Sequence, residues 1–207
     1  CALPISSEGW HKIILYNEEK WCYTDNTGLC KKGLAKINNK YYYFGSDCLM
    51  ETGVFSVSGL NGEREVICFF DNSGVLNTSK GWHKCKDKYD KFETWCYIDD
   101  NGNLAEGLKE IDGKQYYFRE GTMRTGFVRI DEDEYYFDES GAMAKGWSQD
   151  KNGQYYYTGS NCILQKGWQR INGAWYYFDK CGVMATGPKY ILDESTYETK
   201  LYYFDNS

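Results

Sequence analysis

Residues 167–186 read GWQRINGAWYYFDKCGVMAT, and the phrase that runs from Gly-Trp to Tyr-Tyr-Phe returns in altered form nine times, roughly every twenty residues. That period marks a repeat array. A unit so short cannot cover its own apolar face, so the repeats must stack, and stacking sets the same aromatic rings beside one another again and again. Function is therefore expected in the seams.

The repeats follow in order: 9–32, 33–52, 53–80, 81–106, 107–125, 126–145, 146–166, 167–186 and 187–207, with residues 1–8 as a flanking segment. Repeats 9–32 and 81–106 both open Gly-Trp-His-Lys and carry Trp-Cys-Tyr, as though a block of three had been duplicated. The pattern predicts one elongated all-β domain, a solenoid of stacked β-hairpins.

Each repeat reads as strand, tight turn, strand. Asn172-Gly173, Asp112-Gly113, Asn152-Gly153 and Asn61-Gly62 accept positive φ at low cost, the mark of a two-residue hairpin turn, and each leads into an aromatic run. A second turn, Asp-x-x-Gly, recurs at Asp71, Asp99, Asp138 and Asp179. Alternation along the strand splits Trp175-Tyr176-Tyr177-Phe178 into two faces. The face with Tyr42, Tyr116, Tyr156, Tyr202, Phe44, Phe70, Phe118, Phe137 and Phe204 reads as packing. The other, with Trp21, Trp95, Trp175, Tyr41 and Tyr155, reads as the wall of a pocket beside the opening Trp.

A net charge of −6 disfavours nucleic acid and anionic lipid, both of which reward a basic surface. No apolar run is long enough to span a bilayer as a helix, so no membrane insertion is expected. No signal peptide is visible, and because the repeats begin almost at the first residue the segment reads as a piece of a longer chain.

Nine cysteines suggest a disulfide or zinc framework, but the number is odd and no Cys-x-x-Cys occurs. Cys22, Cys68 and Cys96 fall where other repeats place the middle Tyr, and Cys48 and Cys162 occupy the slot of Gly28, Gly74, Gly102, Gly141 and Gly182. They read as substitutions within the repeat, the strand set as buried thiols. Pairing between neighbouring repeats stays open, and Cys1 stays open as an added residue or a lipid attachment point.

A cleft walled by Trp and Tyr offers π faces to a quaternary ammonium and flat plates to a sugar ring. Each ring contributes about 0.5–2 kcal/mol, so one site binds weakly and repetition supplies avidity toward a polymer.

The phrase GWQRINGAWYYFDKCGVMATG resembles the cell-wall-binding repeats of Gram-positive bacteria, the family of choline-binding, glucan-binding and clostridial-toxin repeats, and the resemblance covers residues 9–207. It implies a left-handed hairpin superhelix attached to an enzyme, adhesin or toxin, secreted and held at the cell surface by a choline or glycan polymer. It also implies sites built from the opening Trp and first strand aromatic of one repeat with the third strand aromatic of the next. Carried over, these are Trp147, Tyr155 and Tyr177; Trp168, Trp175 and Tyr203; Trp10, Trp21 and Tyr43; and Trp82, Trp95 and Tyr117. Leu34, Val54, Leu108, Phe127 and Pro188 replace the opening Trp, so seams that rely on them are expected to bind nothing.

No catalytic residue, cofactor or metal site is expected. His11 and His83 share one repeat position and reflect duplication, and no nucleophile motif accompanies them. Choline calls for a closed three-walled cage, whereas a glycan calls for an open platform rimmed by groups such as Gln149, Asp150 and Gln169. The structural alternative is a spacer or adhesin stalk with mostly inactive seams. Exposed terminal hairpins invite association with a second copy as a homodimer.

Overall fold

The computed structural model describes residues 7–58, 65–86, 93–193 and 195–205. Every regular element among them is a β-strand. The first four pairs are β1 (Gly9–Leu15) with β2 (Glu18–Thr24), β3 (Gly33–Ile37) with β4 (Lys40–Phe44), β5 (Gly53–Val57) with β6 (Val66–Phe70) and the short β7 (Leu76–Asn77), and β8 (Gly81–Lys86) with β9 (Glu93–Ile98). Next come β10 (Gly107–Ile111), β11 (Lys114–Arg119) and β12 (Thr122–Met123). Then follow β13 (Gly126–Ile130) with β14 (Asp133–Phe137), β15 (Gly146–Gln149) with β16 (Tyr155–Thr158), β17 (Gly167–Ile171) with β18 (Ala174–Phe178), and β19 (Gly187–Asp193) with β20 (Glu198–Phe204). The fold is all-β, antiparallel hairpins succeeding one another along the chain, with no closed barrel.

Two compact units divide the chain: Cys1–Lys109 with Phe118–Met123, and Glu110–Tyr117 with Arg124–Ser207. The division runs through β10 and β11.

Turn chemistry explains the hairpins. Asn172 and Gly173 sit at φ 49° and 89°, and Asp112 and Gly113 at 51° and 75°, as the two-residue turn demands. Tyr16-Asn17 and Asn38-Asn39 do the same without glycine. The expectation for Asn152-Gly153 is corrected: it does not form a two-residue turn. Asp150 N donates to Gln154 O and Gly153 N to Asp150 O, both at 3.0 Å, so five residues connect β15 and β16. The Asp150 carboxylate takes the amides of Asn152 and Gln154, each at 2.9 Å, and thereby stabilises the wider loop. The Asn61-Gly62 expectation lies outside the described residues.

That loop copies the second turn of the repeats. Asp25, Asp71, Asp99, Asp138 and Asp179 each accept the backbone amides two and four residues on, at 2.8 to 3.2 Å. The hydrogen bonds hold the Asp25 carboxyl well below the usual carboxylate range, led by the Thr27 hydroxyl and then Lys31. After each turn the chain bridges back, as Met184 does to Phe178.

The core is a ladder of strand aromatics. Phe70, Phe118, Phe137 and Phe178 are fully buried, and Phe44 nearly so, as the packing face predicts. Cys22, Cys68 and Cys96 are buried too, small apolar groups in the slot that Tyr156 fills elsewhere. The neighbouring Cys85 thiol and then burial push the Cys96 thiol upward, which keeps it protonated. Where Thr24 and Thr158 replace the closing Phe, their hydroxyls find Ser7 O and Ala144 O, both at 2.9 Å.

Candidate functional site

The opening tryptophans have regular surroundings. Register pairs Trp10 with Tyr23, Trp82 with Tyr97, Trp147 with Tyr157 and Trp168 with Tyr177, and the ring centroids lie 5.1 to 5.3 Å apart, edge to face. Each ring also meets the next hairpin. Trp10 reaches Tyr42 (4.8 Å) and Phe44, Trp147 reaches Tyr176 (4.9 Å) and Phe178, and Trp168 reaches Tyr202 (4.8 Å) and Phe204. Trp82 lies 5.8 Å from Phe118. One face of a hairpin therefore packs on the opposite face of the next, and these indoles stabilise the seam as edge-to-face pairs of about 0.5–1.5 kcal/mol each.

Phe127 plays the same part with Tyr136 (4.9 Å) and Tyr156 (4.7 Å), and the two tyrosines stack at 5.8 Å. Burial first, then the Asp150 charge, pushes the Tyr156 phenol up to about 12. The folded state therefore holds the proton more tightly than the unfolded chain, whose tyrosine titrates near ~10. Stability from this group is complete below pH ~10 and falls as pH rises toward the folded value. In a Tyr156→Phe variant that alkaline loss, followed by denaturation across the pH range, is expected to shrink. An unchanged profile would show that the phenol does not set it.

Seven of the twelve residues expected at binding sites are exposed on the hairpins, and Trp10, Tyr43, Trp82, Tyr117 and Tyr177 are half-buried. Trp21 and Trp95 are each 38% exposed, Trp147 40%, Trp168 39%, Tyr155 44%, Trp175 62% and Tyr203 79%. Trp168 and Trp175 come together, edge to face at 6.4 Å. Trp175 and Tyr203 line one cleft of about 150 Å³, floored by Met184 and Ala185 and rimmed by Asp205. Trp147 has its ring contacts with Tyr157, Tyr176 and Phe178 rather than with Tyr155 or Tyr177. Trp10 likewise contacts Tyr23, Tyr42 and Phe44 rather than Trp21 or Tyr43, and Tyr43 packs on Phe55 and Phe70. Tyr117 lies in the second compact unit against Phe137, whereas Trp82 and Trp95 lie in the first.

Three lysines were missed. Lys12 stands 6.0 Å from the Trp21 centroid, Lys36 5.4 Å from Tyr41 and Lys84 5.8 Å from Trp95. In each case register sets the lysine directly across the hairpin from the ring. Counting back from the turn would have revealed them. Lys12 also pairs with Glu19 at 2.5 Å. By contrast, among the described residues no lysine or arginine covers Trp175.

The histidines are engaged in structure. His11 Nε2 lies 2.7 Å from Thr24 Oγ1 and His83 Nε2 2.7 Å from Ser79 O.

Repeats on both sides of the division match known families: the choline-binding repeat over residues 124–161 and 165–207, and a cell wall binding repeat over 32–47. Over those stretches the chain is similar to choline-binding and cell wall binding repeats. Glucosyltransferase-S of Streptococcus mutans is 29% identical over 151 residues, 71% of this chain and 10% of that enzyme. Glucosyltransferase-S of Streptococcus downei is 25% identical over 167 residues, covering 79% and 11%. The chain thus spans about a tenth of the length of these relatives and corresponds to a non-catalytic repeat region, not a catalytic domain. Among solved structures, choline binding protein F from Streptococcus pneumoniae is 20% identical over 97% of this chain and 92% of that one, with a TM-score of 0.43. CbpJ of the same organism is 23% identical over 96% and 92%, with a TM-score of 0.39. The aromatic clusters of the chain lie at the seams between hairpins.

Proposed function

We infer that the chain is a non-catalytic surface-binding module that grips a repeating choline or glycan ligand of a cell wall through aromatic seams and so tethers an attached, secreted protein. The observation that carries this reading is the cleft between Trp175 and Tyr203, with Trp168 edge-on behind it. Among the described residues no lysine or arginine covers its indole, and Asp205 is among the residues lining the cleft, so an open π face and an acidic residue border one small space. A space of about 150 Å³ takes a single headgroup or one face of a sugar ring rather than a chain segment. Avidity across several seams supplies the rest.

Titration of choline chloride against intrinsic fluorescence tests this, with Trp175→Ala and Tyr203→Ala as controls. Each substitution is expected to weaken binding about 2- to 30-fold, the equivalent of ~0.5–2 kcal/mol per ring. If wild type responds neither to choline nor to neutral oligosaccharides, the spacer reading replaces this one. The packing of the opening tryptophans into seams supports that alternative, since rings engaged in stacking have less surface left for a guest.

A further inference from the structure

A second cleft opens in the first compact unit, about 400 Å³, where Leu34 and Val54 had suggested inactive seams. It lies among β3–β4, β5–β7 and the turn after β9, with Tyr41 and Phe69 on its walls. Its polar lining differs in kind from the Trp175 cleft. Asn39, Asn77, Asn101 and Asn103 surround it, and among the described residues no carboxylate lines it.

Those amides are available. Asn101 and Asn103 give their backbone N–H groups to Asp99, both at 2.9 Å, and their side-chain carboxamides make no hydrogen bond to another described residue. Asn77 accepts the Ser79 amide at 2.9 Å through Oδ1, which leaves its NH2 to donate. Carboxamides offer both donors and acceptors in one plane, which matches paired sugar hydroxyls and not a trimethylammonium group. The aromatic wall argues the same way. Lys36 Nζ stands 5.4 Å from the Tyr41 centroid, so a positive charge already answers the ring's quadrupole, and Lys40 adds another at the lining. A second cation is disfavoured there, whereas stacking of an uncharged ring on an apolar face is not.

We propose that this asparagine-rimmed cleft is a binding site for a neutral oligosaccharide, distinct in ligand class from the cation-suited cleft at Trp175. The volume lies in the range of small-molecule pockets and accommodates more than one sugar ring, so the site holds a short run of a glycan chain. The proposal rests on the reading of the chain as a binding module but fails separately from it, because the two clefts share no residue.

The test is a nuclear magnetic resonance titration of the 207-residue chain, following the side-chain NH2 signals of Asn39, Asn77, Asn101 and Asn103. Isomaltohexaose, maltohexaose and cellohexaose are the sugar probes, and choline chloride is the cation probe. At least one oligosaccharide is expected to shift these signals, and choline is expected to leave them unmoved. Tyr41→Ala is expected to weaken the sugar response roughly 2- to 10-fold while leaving a choline response at Trp175 intact. The double variant Asn101→Ala, Asn103→Ala alters exposed positions and guards against loss of fold as the cause. No shift with any of the three sugars, an unchanged affinity in both variants, or displacement of the sugar by choline would each overturn the proposal. A choline response at Trp175 in the same experiment would leave the module's binding role standing even then.

Discussion

Truncating Phe178 to alanine is expected to lower stability by about 3–5 kcal/mol. Phe178 has no solvent exposure, its backbone bridges to that of Met184, and its ring lies 5.8 Å from Trp147 on the preceding hairpin. Its removal strips the seam from both sides, and the cavity cannot refill, because the neighbouring residues are held by backbone pairing. In a stacked array the damage is felt first at nearest neighbours. Amide hydrogen exchange should accordingly show β15–β18 opening before the first compact unit, and urea titration should show an early loss of signal. A change under ~1 kcal/mol would mean that these phenylalanines are not the core.

Gly182→Ala is expected to cost about 2–4 kcal/mol, by denaturant titration, from two sources. The residue sits at φ 78°, and an added Cβ would lie 2.6 Å from Leu164 Cδ2 and 2.8 Å from Leu164 Cγ. Leu164 is buried, so it has little freedom to move away. Backbone conformation alone is the smaller part, because Cys48 and Cys162 occupy the same turn slot at φ 67° and 63° with a side chain attached. Gly102→Ala is the comparison: the nearest atom to its added Cβ is Thr78 Cβ at 3.2 Å, and the cost should be nearer ~1–2 kcal/mol, the backbone share. Equal costs at the two positions would show that Leu164 yields and that space is not what reserves the slot.

The binding seams were only partly legible beforehand. The family resemblance drew attention to Trp168, Trp175 and Tyr203, and the last two do frame a cleft. Sequence distance gave no means of telling that Trp147 turns its ring against Tyr176 and Phe178, since both faces of a hairpin carry aromatics of similar size. The asparagine-rimmed cleft was missed for a related reason. Its lining comes from three repeats and includes turn residues with no apolar period, so nothing in the spacing connects Asn39 with Asn101.

The chain by itself determined the hairpins, because a period near twenty, strand-forming aromatics and turn residues tolerant of positive φ are all local properties. It also determined which ring closes each strand into the interior, since alternation leaves Phe44, Phe70, Phe118, Phe137 and Phe178 on one side. Only the tertiary structure decided which aromatic faces are spent on stacking, which are capped by Lys12, Lys36 or Lys84, and which stay open as at Trp175. Those outcomes depend on how one hairpin's side chains meet the next, a long-range matter of shape and charge that no single repeat encodes.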